Sequence, residues 1–234
     1  MDLDAEHLVH YLVERGLLDL SEVVDGGLMV AESSRRHRSF RVLRPRGGGL
    51  FVKQVRQPDA ETVTTFQREG ACYWLAANDA AFAPLRDLMP RFLDYDKERL
   101  ALVTDLLPQA EDLTRLHQRL GTFPTELAGQ LGEALGSFQA AMAVEGFDPR
   151  YSAFFPRALP WPLICRRVSV ETFSRHGAEA GAVVSAIHAD PVLAQSLDAL
   201  AEEYRPGTLI HGDIKWDNLL SHPNGSPEHS CLKL

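Results

Sequence analysis

The sequence predicts an α+β protein of two lobes: a strand-rich N-lobe over 1–107 and a helical C-lobe over 108–234. Two observations carry this. Up to Thr104 the apolar residues fall in short runs bounded by turn residues, with one helical pattern inserted. After Asp105 the apolar spacing becomes helical and stays so until a last strand-like stretch near Leu209–Leu220. A cleft between two such lobes is the natural ligand site.

The elements follow in order. Glu6 to Arg15 carries Leu8, Val9 and Leu12 at helical spacing. Strands are expected at Gly27–Ala31, Phe40–Leu43 and Leu50–Gln54, with the turn Arg44-Pro45-Arg46-Gly47-Gly48-Gly49 between the last two. Pro58-Asp59 opens a helix with Asp59 as N-cap; Val63, Phe66, Gly70, Tyr73 or Trp74, and Ala77 form its buried stripe. Arg91–Asp94 and Leu100–Thr104 read as strands joined by the tight polar turn Tyr95-Asp96-Lys97-Glu98. Helices are expected over Asp112–Leu120 and Glu126–Val144, the latter with Leu127, Leu131, Leu135 and Phe138 on one face. Ser152–Pro162 reads as irregular. Asp190-Pro191 supplies an N-cap and first-turn proline for a helix running to about Tyr204, which Pro206-Gly207 ends.

Composition narrows the function. Hydrophobic residues make up 45% and charged ones 24% of the 234 residues, ordinary for a globular protein. A formal net charge of -8 argues against nonspecific nucleic-acid binding, which needs basic surface. No apolar run approaches the ~20 residues that span a bilayer, and the acidic start Met1-Asp2-Leu3-Asp4-Ala5-Glu6 is unlike a secretory signal. Cys72, Cys165 and Cys231 are scattered and form no CxxC pair, which suits reduced thiols in a cytoplasmic protein. There is no G-x-S-x-G elbow, HExxH or GxxxxGK[ST], and the histidines lack metal-ligand spacing.

The informative stretch is Leu209-Ile210-His211-Gly212-Asp213-Ile214-Lys215-Trp216-Asp217-Asn218-Leu219-Leu220, a polar turn between two apolar strands. An acid followed by an amide after four intervening residues is the arrangement a phosphoryl-transfer loop needs: Asp213 accepts the proton of an attacking hydroxyl, and Asn218 holds magnesium. Lys215 stands where an ammonium reaches the transferring phosphate. Upstream, Lys53 ends an apolar strand and is placed to meet the nucleotide phosphates, with Glu69, on the next helix, as its partner. Ser33-Ser34-Arg35-Arg36-His37-Arg38-Ser39 joins two strands where a phosphate-covering loop would lie, and Ser33 and Ser34 offer hydroxyls and N–H groups there. Leu102-Val103-Thr104-Asp105-Leu106 joins the lobes; the backbone of Thr104, Asp105 and Leu106 would meet an adenine edge. Any of these alone has an ordinary structural reading, as a strand-edge lysine, a solvated helix face or a polar turn; their order along the chain favours phosphoryl transfer.

On Lys53, Glu69, the hairpin Pro90-Arg91-Phe92-Leu93-Asp94-Tyr95-Asp96 leading to Leu102–Asp105, and His211-Gly212-Asp213 to Asn218, the chain resembles the aminoglycoside phosphotransferase family from about Val24 onward. The resemblance implies a bilobal protein-kinase-like fold, and an ATP- and Mg2+-dependent phosphotransferase acting on a hydroxyl of a small molecule. Gly212 stands where protein kinases carry arginine, which points to the small-molecule branch. Lys215 departs from many family members. Relatives place a magnesium-binding Asp on a strand soon after the loop. Ser230–Leu234 looks like the start of that strand, so the C-lobe is expected to be incomplete, with a nucleotide-binding pseudokinase or truncated remnant as the alternative.

Overall fold

In the computed structural model the described residues are 3–33, 37–45, 47–143, 149–175, 177–223 and 230–233, with the backbone alone described at residues 161, 222–223 and 230–233. The chain forms two compact units, Met1–Met142 with Ile210–Leu234, and Ala143–Leu209. The expected lobe boundary near residue 107 falls inside the first, where the sheet gives way to helices.

The first unit opens with α1 (Ala5–Glu14), one residue earlier than expected, because Asp4 accepts from the N–H groups of Glu6 and His7 as N-cap. The short α2 (Leu20–Val24), too brief to show a period, follows. Strands β1 (Met29–Glu32), β2 (Arg38–Leu43) and β3 (Gly49–Gln54), helix α3 (Ala60–Asn78), the short α4 (Ala83–Arg86), and strands β4 (Phe92–Asp96) and β5 (Ala101–Asp105) complete its N-terminal part. The five strands form one antiparallel sheet in the order β1-β2-β3-β5-β4.

Alternation along the strands gives the sheet two apolar faces. Phe40, Val42, Leu50, Val52, Ala101 and Val103 pack with Leu8, Tyr11 and Leu12 of α1. The opposite set, Val55, Leu102, Phe92 and Tyr95, packs with Phe66 and Tyr73 of α3. Lys53, between Val52 and Gln54, projects on the α3 side. A bulge between Phe92 and Asp94 interrupts the alternation. Leu93 joins the α1 core, and Asp94 takes a two-armed bond from Arg15, the residue that ends α1, at 2.6 and 2.7 Å.

The expected turn at Tyr95–Glu98 lies later in the structure. Tyr95 and Asp96 remain in β4, and the reversal occupies residues 97–100. Asp96 sets its place by accepting from the N–H groups of Glu98 and Arg99, each at 2.9 Å. The stripe of α3 is also shifted: Thr62, Phe66, Gly70, Leu75 and Ala76 are buried, and Trp74 is exposed, so Tyr73 is the inward aromatic of the expected pair.

After β6 (Glu111–Asp112) come α5 (Leu113–Leu120) and α6 (Thr125–Ala141), near the expected bounds. In the second unit a 3-10 turn at Pro149–Ala153 is followed by α7 (Trp161–Ile164), α8 (Val170–Ser174), α9 (Ala178–Ala189) and α10 (Pro191–Glu203). Asp190 caps α10 through Val192 and Leu193, as its Asp-Pro signature predicts. The chain returns to the first unit through a 3-10 turn at Trp216–Asn218, β7 (Leu220–Pro223) and β8 (Ser230–Lys233). The apolar strand expected before the polar turn is absent among the described residues; only a single bridge, Ala143 to Thr208, forms there.

Gly70 fixes the seat of α3 on the sheet. A Cβ there would stand 2.5 Å from the Tyr95 ring, so the helix reaches β4 only with no side chain at this position. Replacing Gly70 by Ala should cost about 1–3 kcal/mol through overpacking, read as a lower denaturant midpoint with unchanged slope; an unchanged midpoint would contradict the tight seat.

Candidate functional site

The site is built from two clusters, both in the first unit. In the first, Lys53 Nζ donates to both carboxylate oxygens of Glu69, at 2.8 and 2.7 Å. Strand alternation turns Lys53 toward α3, and the helix presents Glu69 beside its buried stripe. The pair is half-buried, with side chains 24% and 32% exposed, and the Nζ lies 5.8 Å from the centroid of Phe66. This fixes a cation on the sheet while leaving its remaining N–H group for another acceptor.

The β1–β2 hairpin lies alongside. Ser33 N–H donates to Ser39 carbonyl at 2.8 Å, and Ser39 is the register partner of Lys53. The exposed Ser33 therefore lies in line with Lys53 across neighbouring strands. Ser34 lies outside the described residues. The His37 ring, at 5.7 Å from Phe66, also packs on this side.

At the end of β5 and just beyond it, Thr104 and Leu106 are buried. The N–H groups of Asp105 and Leu106 donate to the carbonyls of Arg91 and Gly49, at 2.9 and 3.0 Å. Arg91 also holds the Asp105 carboxylate at 2.7 and 3.1 Å. Those two backbone donors are thus engaged within the protein.

The second cluster is the polar turn. Asn218 Nδ2 donates to the carbonyl of Asp213 at 2.9 Å and to its Oδ2 at 2.8 Å. Lys215 Nζ meets the same Oδ2 at 3.1 Å. Desolvation pushes the Asp213 carboxyl up, but the bonds from Lys215 and Asn218, with the lysine charge, outweigh it and hold it below the usual carboxylate range. Gly212 reaches the turn at φ +80, a left-handed conformation that costs other residues roughly 1–2 kcal/mol. Asp213 N–H donates to His211 Nδ1 at 3.3 Å, which requires that nitrogen to be unprotonated. In agreement, desolvation lowers the His211 pKa against the pull of Asp213 and Glu69.

Leu219 anchors the turn. It is buried with Leu113, Leu116 and Leu127, and its carbonyl accepts from Leu113 N–H at 3.0 Å. Asp112, which caps α5, pairs in register with Leu220. The loop therefore ends against the start of α5.

Asn218 spends its Nδ2 on Asp213, which turns its Oδ1 toward other partners. An oxygen donor of this kind suits magnesium, which takes few protein ligands and completes its shell with phosphates and water. Among the described residues no group of three or more His, Cys, Asp or Glu is arranged to hold a metal. Asn218 fits as one ligand in such a shell.

Sequence reasoning did not find the Arg91–Asp105 clamp or the packing of His117 with Phe123 and Trp216. The first had a signal, opposite charges on the paired strands β4 and β5 and their flanks; the second joins residues far apart in sequence and had none.

These positions match the order of parts in the protein-kinase-like fold, and solved structures agree. The macrolide 2′-phosphotransferase of Brachybacterium faecium aligns over 93% of this chain and 68% of its own length, with TM-score 0.53 and 18% identity. The choline kinase of Streptococcus pneumoniae aligns over 97% and 67%, with TM-score 0.56 and 15% identity. No curated protein matches the sequence. The sequence profile of the phosphotransferase enzyme family matches residues 28–230, and the chain belongs to that family.

The electrostatics of the loop can be read directly. By NMR, His211 should titrate below the ordinary histidine value of about 6.5, and Asp213→Asn should lower its midpoint further by removing a charge that favours imidazolium. A midpoint that rises in this variant would contradict the arrangement.

Proposed function

We propose that the protein transfers the terminal phosphoryl group of ATP, with magnesium, to a hydroxyl of a small molecule. Family membership supports phosphoryl transfer. The observation that carries the reading is the presence in one compact unit of a fixed cation, Lys53 held on Glu69, and an acid-amide turn in which Asn218 bonds Asp213.

In this reading Lys53 meets the nucleotide phosphates, held in aim by Glu69. The hairpin at Ser33 and Ser34 covers the phosphates. With Thr104 in the ladder and the Asp105 and Leu106 N–H groups engaged, an adenine edge would meet the segment chiefly through the backbone from Leu106 onward. Asn218 would hold magnesium, which supplies charge against the phosphate oxygens. Asp213 receives the acceptor hydroxyl. As the oxygen–phosphorus bond forms and the bond to ADP breaks, the hydroxyl proton passes to Asp213.

A carboxylate kept ionised by Lys215 and Asn218 is a weak base. Its main contribution is then to orient the hydroxyl and take the proton late, which suits a loose phosphoryl-transfer transition state. Lys215, now on Asp213, is also placed to meet the transferring phosphate. With ATP as donor, the reading is of a cytoplasmic enzyme.

Release of ADP from magnesium-ATP is the direct test. Asp213→Asn should lower the rate by roughly 10²–10⁴-fold with little change in ATP affinity, whereas Lys53→Ala should weaken ATP binding. An Asp213→Asn protein of near-normal rate would refute the assigned role. ATP bound without turnover by the unaltered chain across a panel of small-molecule hydroxyl acceptors would refute catalysis.

A further inference from the structure

Three aromatic rings meet beside the polar turn. Trp216 lies 4.2 Å from His117 and 4.6 Å from Phe123, centroid to centroid, and His117 lies 4.1 Å from Phe123. The two pairs that Trp216 makes, at 69° and 82°, are edge-to-face, the arrangement aromatic quadrupoles favour, and the His117–Phe123 pair is tilted at 56°. Trp216 comes from the turn itself, between Lys215 and Asp217. His117 comes from α5, and Phe123 from the segment between α5 and α6. Trp216 is 45% and Phe123 63% exposed, so the trio is not part of a buried core. The Nδ1 of His117 is nevertheless shielded from solvent and has no hydrogen-bond partner, which shows how closely the rings cover it.

The turn needs such a hold. Asp213, Lys215 and Asn218 bind one another, which fixes their mutual geometry but not their place on the protein. Leu219 anchors the C-terminal end on α5. Trp216 reaches the same helix from the middle of the turn, inside the span closed by Asn218 N–H on Lys215 carbonyl at 2.9 Å.

We propose that Trp216, clasped by His117 and Phe123, is a positioning residue that fixes the acid-amide turn on α5. The catalytic consequence rests on the phosphotransferase reading above; the structural one does not. Trp216 acts through Lys215 and Asn218, its neighbours in the turn.

The test uses the full chain and three variants, Trp216→Ala, Trp216→Phe and His117→Ala. The last changes no residue of the turn, and alanine favours the helix it enters. Amide exchange at Asn218 and at Val52 in β3 is followed by NMR, with kcat and KM for hydrolysis of magnesium-ATP to ADP and phosphate. Trp216→Ala and His117→Ala should speed Asn218 exchange about tenfold or more and leave Val52 unchanged. They should lower kcat with KM for ATP kept, and Trp216→Phe should restore both. Unchanged Asn218 exchange, equal acceleration at Val52, or failure of Trp216→Phe to restore the turn would each overturn the proposal. If the unaltered chain turns over ATP neither with water nor with any hydroxyl acceptor, the phosphotransferase reading falls, while the exchange measurements still decide the clasp.

Discussion

The bond between Lys53 and Glu69 is the constraint around which the sheet and α3 are arranged. It exists only because strand alternation sends Lys53 away from the α1 core, and because α3 lies close enough for Glu69 to meet it. That closeness depends on Gly70, where any side chain would strike Tyr95. The pair is partly exposed to solvent, and such pairs contribute little net stability. Its value is geometric: a cation is held at a fixed point on a rigid sheet, next to the hairpin at Ser33. The second layer of support, Arg15 on Asp94, ties α1 to the opposite side of the same strands.

The acid-amide turn is held by a different logic. Its polar side chains are satisfied by one another, so Asp213 remains ionised near neutral pH and Asn218 keeps an oxygen for other work. Gly212 admits the left-handed backbone that starts the turn, and Leu219 ends it in an apolar socket on α5. An aligned carboxylate, a neighbouring ammonium and an amide oxygen contribute orientation and charge rather than strong basicity. Phosphoryl transfer needs chiefly those.

Much of this was legible in the sequence, and the reasons are physical. Lys53 and Glu69 could be placed because a strand and a long helix have firm periodicities, and Asp59 and Asp190 marked helix starts through the chemistry of their side chains; that Asp112 caps α5 emerged only in the structure. The Asp213-to-Asn218 spacing was readable because a phosphoryl-transfer loop calls for an acid and an amide so spaced, and the structure joins the two by hydrogen bonds. The turn after β4 was misplaced by two residues, since the side-chain bonds of Asp96 decide where the chain reverses, and a bulge upset the period before it. The expected strand at Leu209–Ile210 did not form, because two apolar residues do not make a ladder without a partner. Helix α9 went unseen: its apolar residues are mostly small and lie all around it. The ring cluster at Trp216 joins residues distant in the chain, which no local pattern reports.

The central claim is that the Lys53 cluster and the Asp213–Asn218 turn bind one nucleotide between them. Titrating the isotope-labelled chain with magnesium-ATP and mapping the shifted resonances tests it most directly. Saturable shifts are expected at Lys53, Ser33, the backbone after Thr104, and Asn218, with the Asn218 shift lost when magnesium is withheld. Shifts confined to another surface, or none at saturating nucleotide, would contradict it.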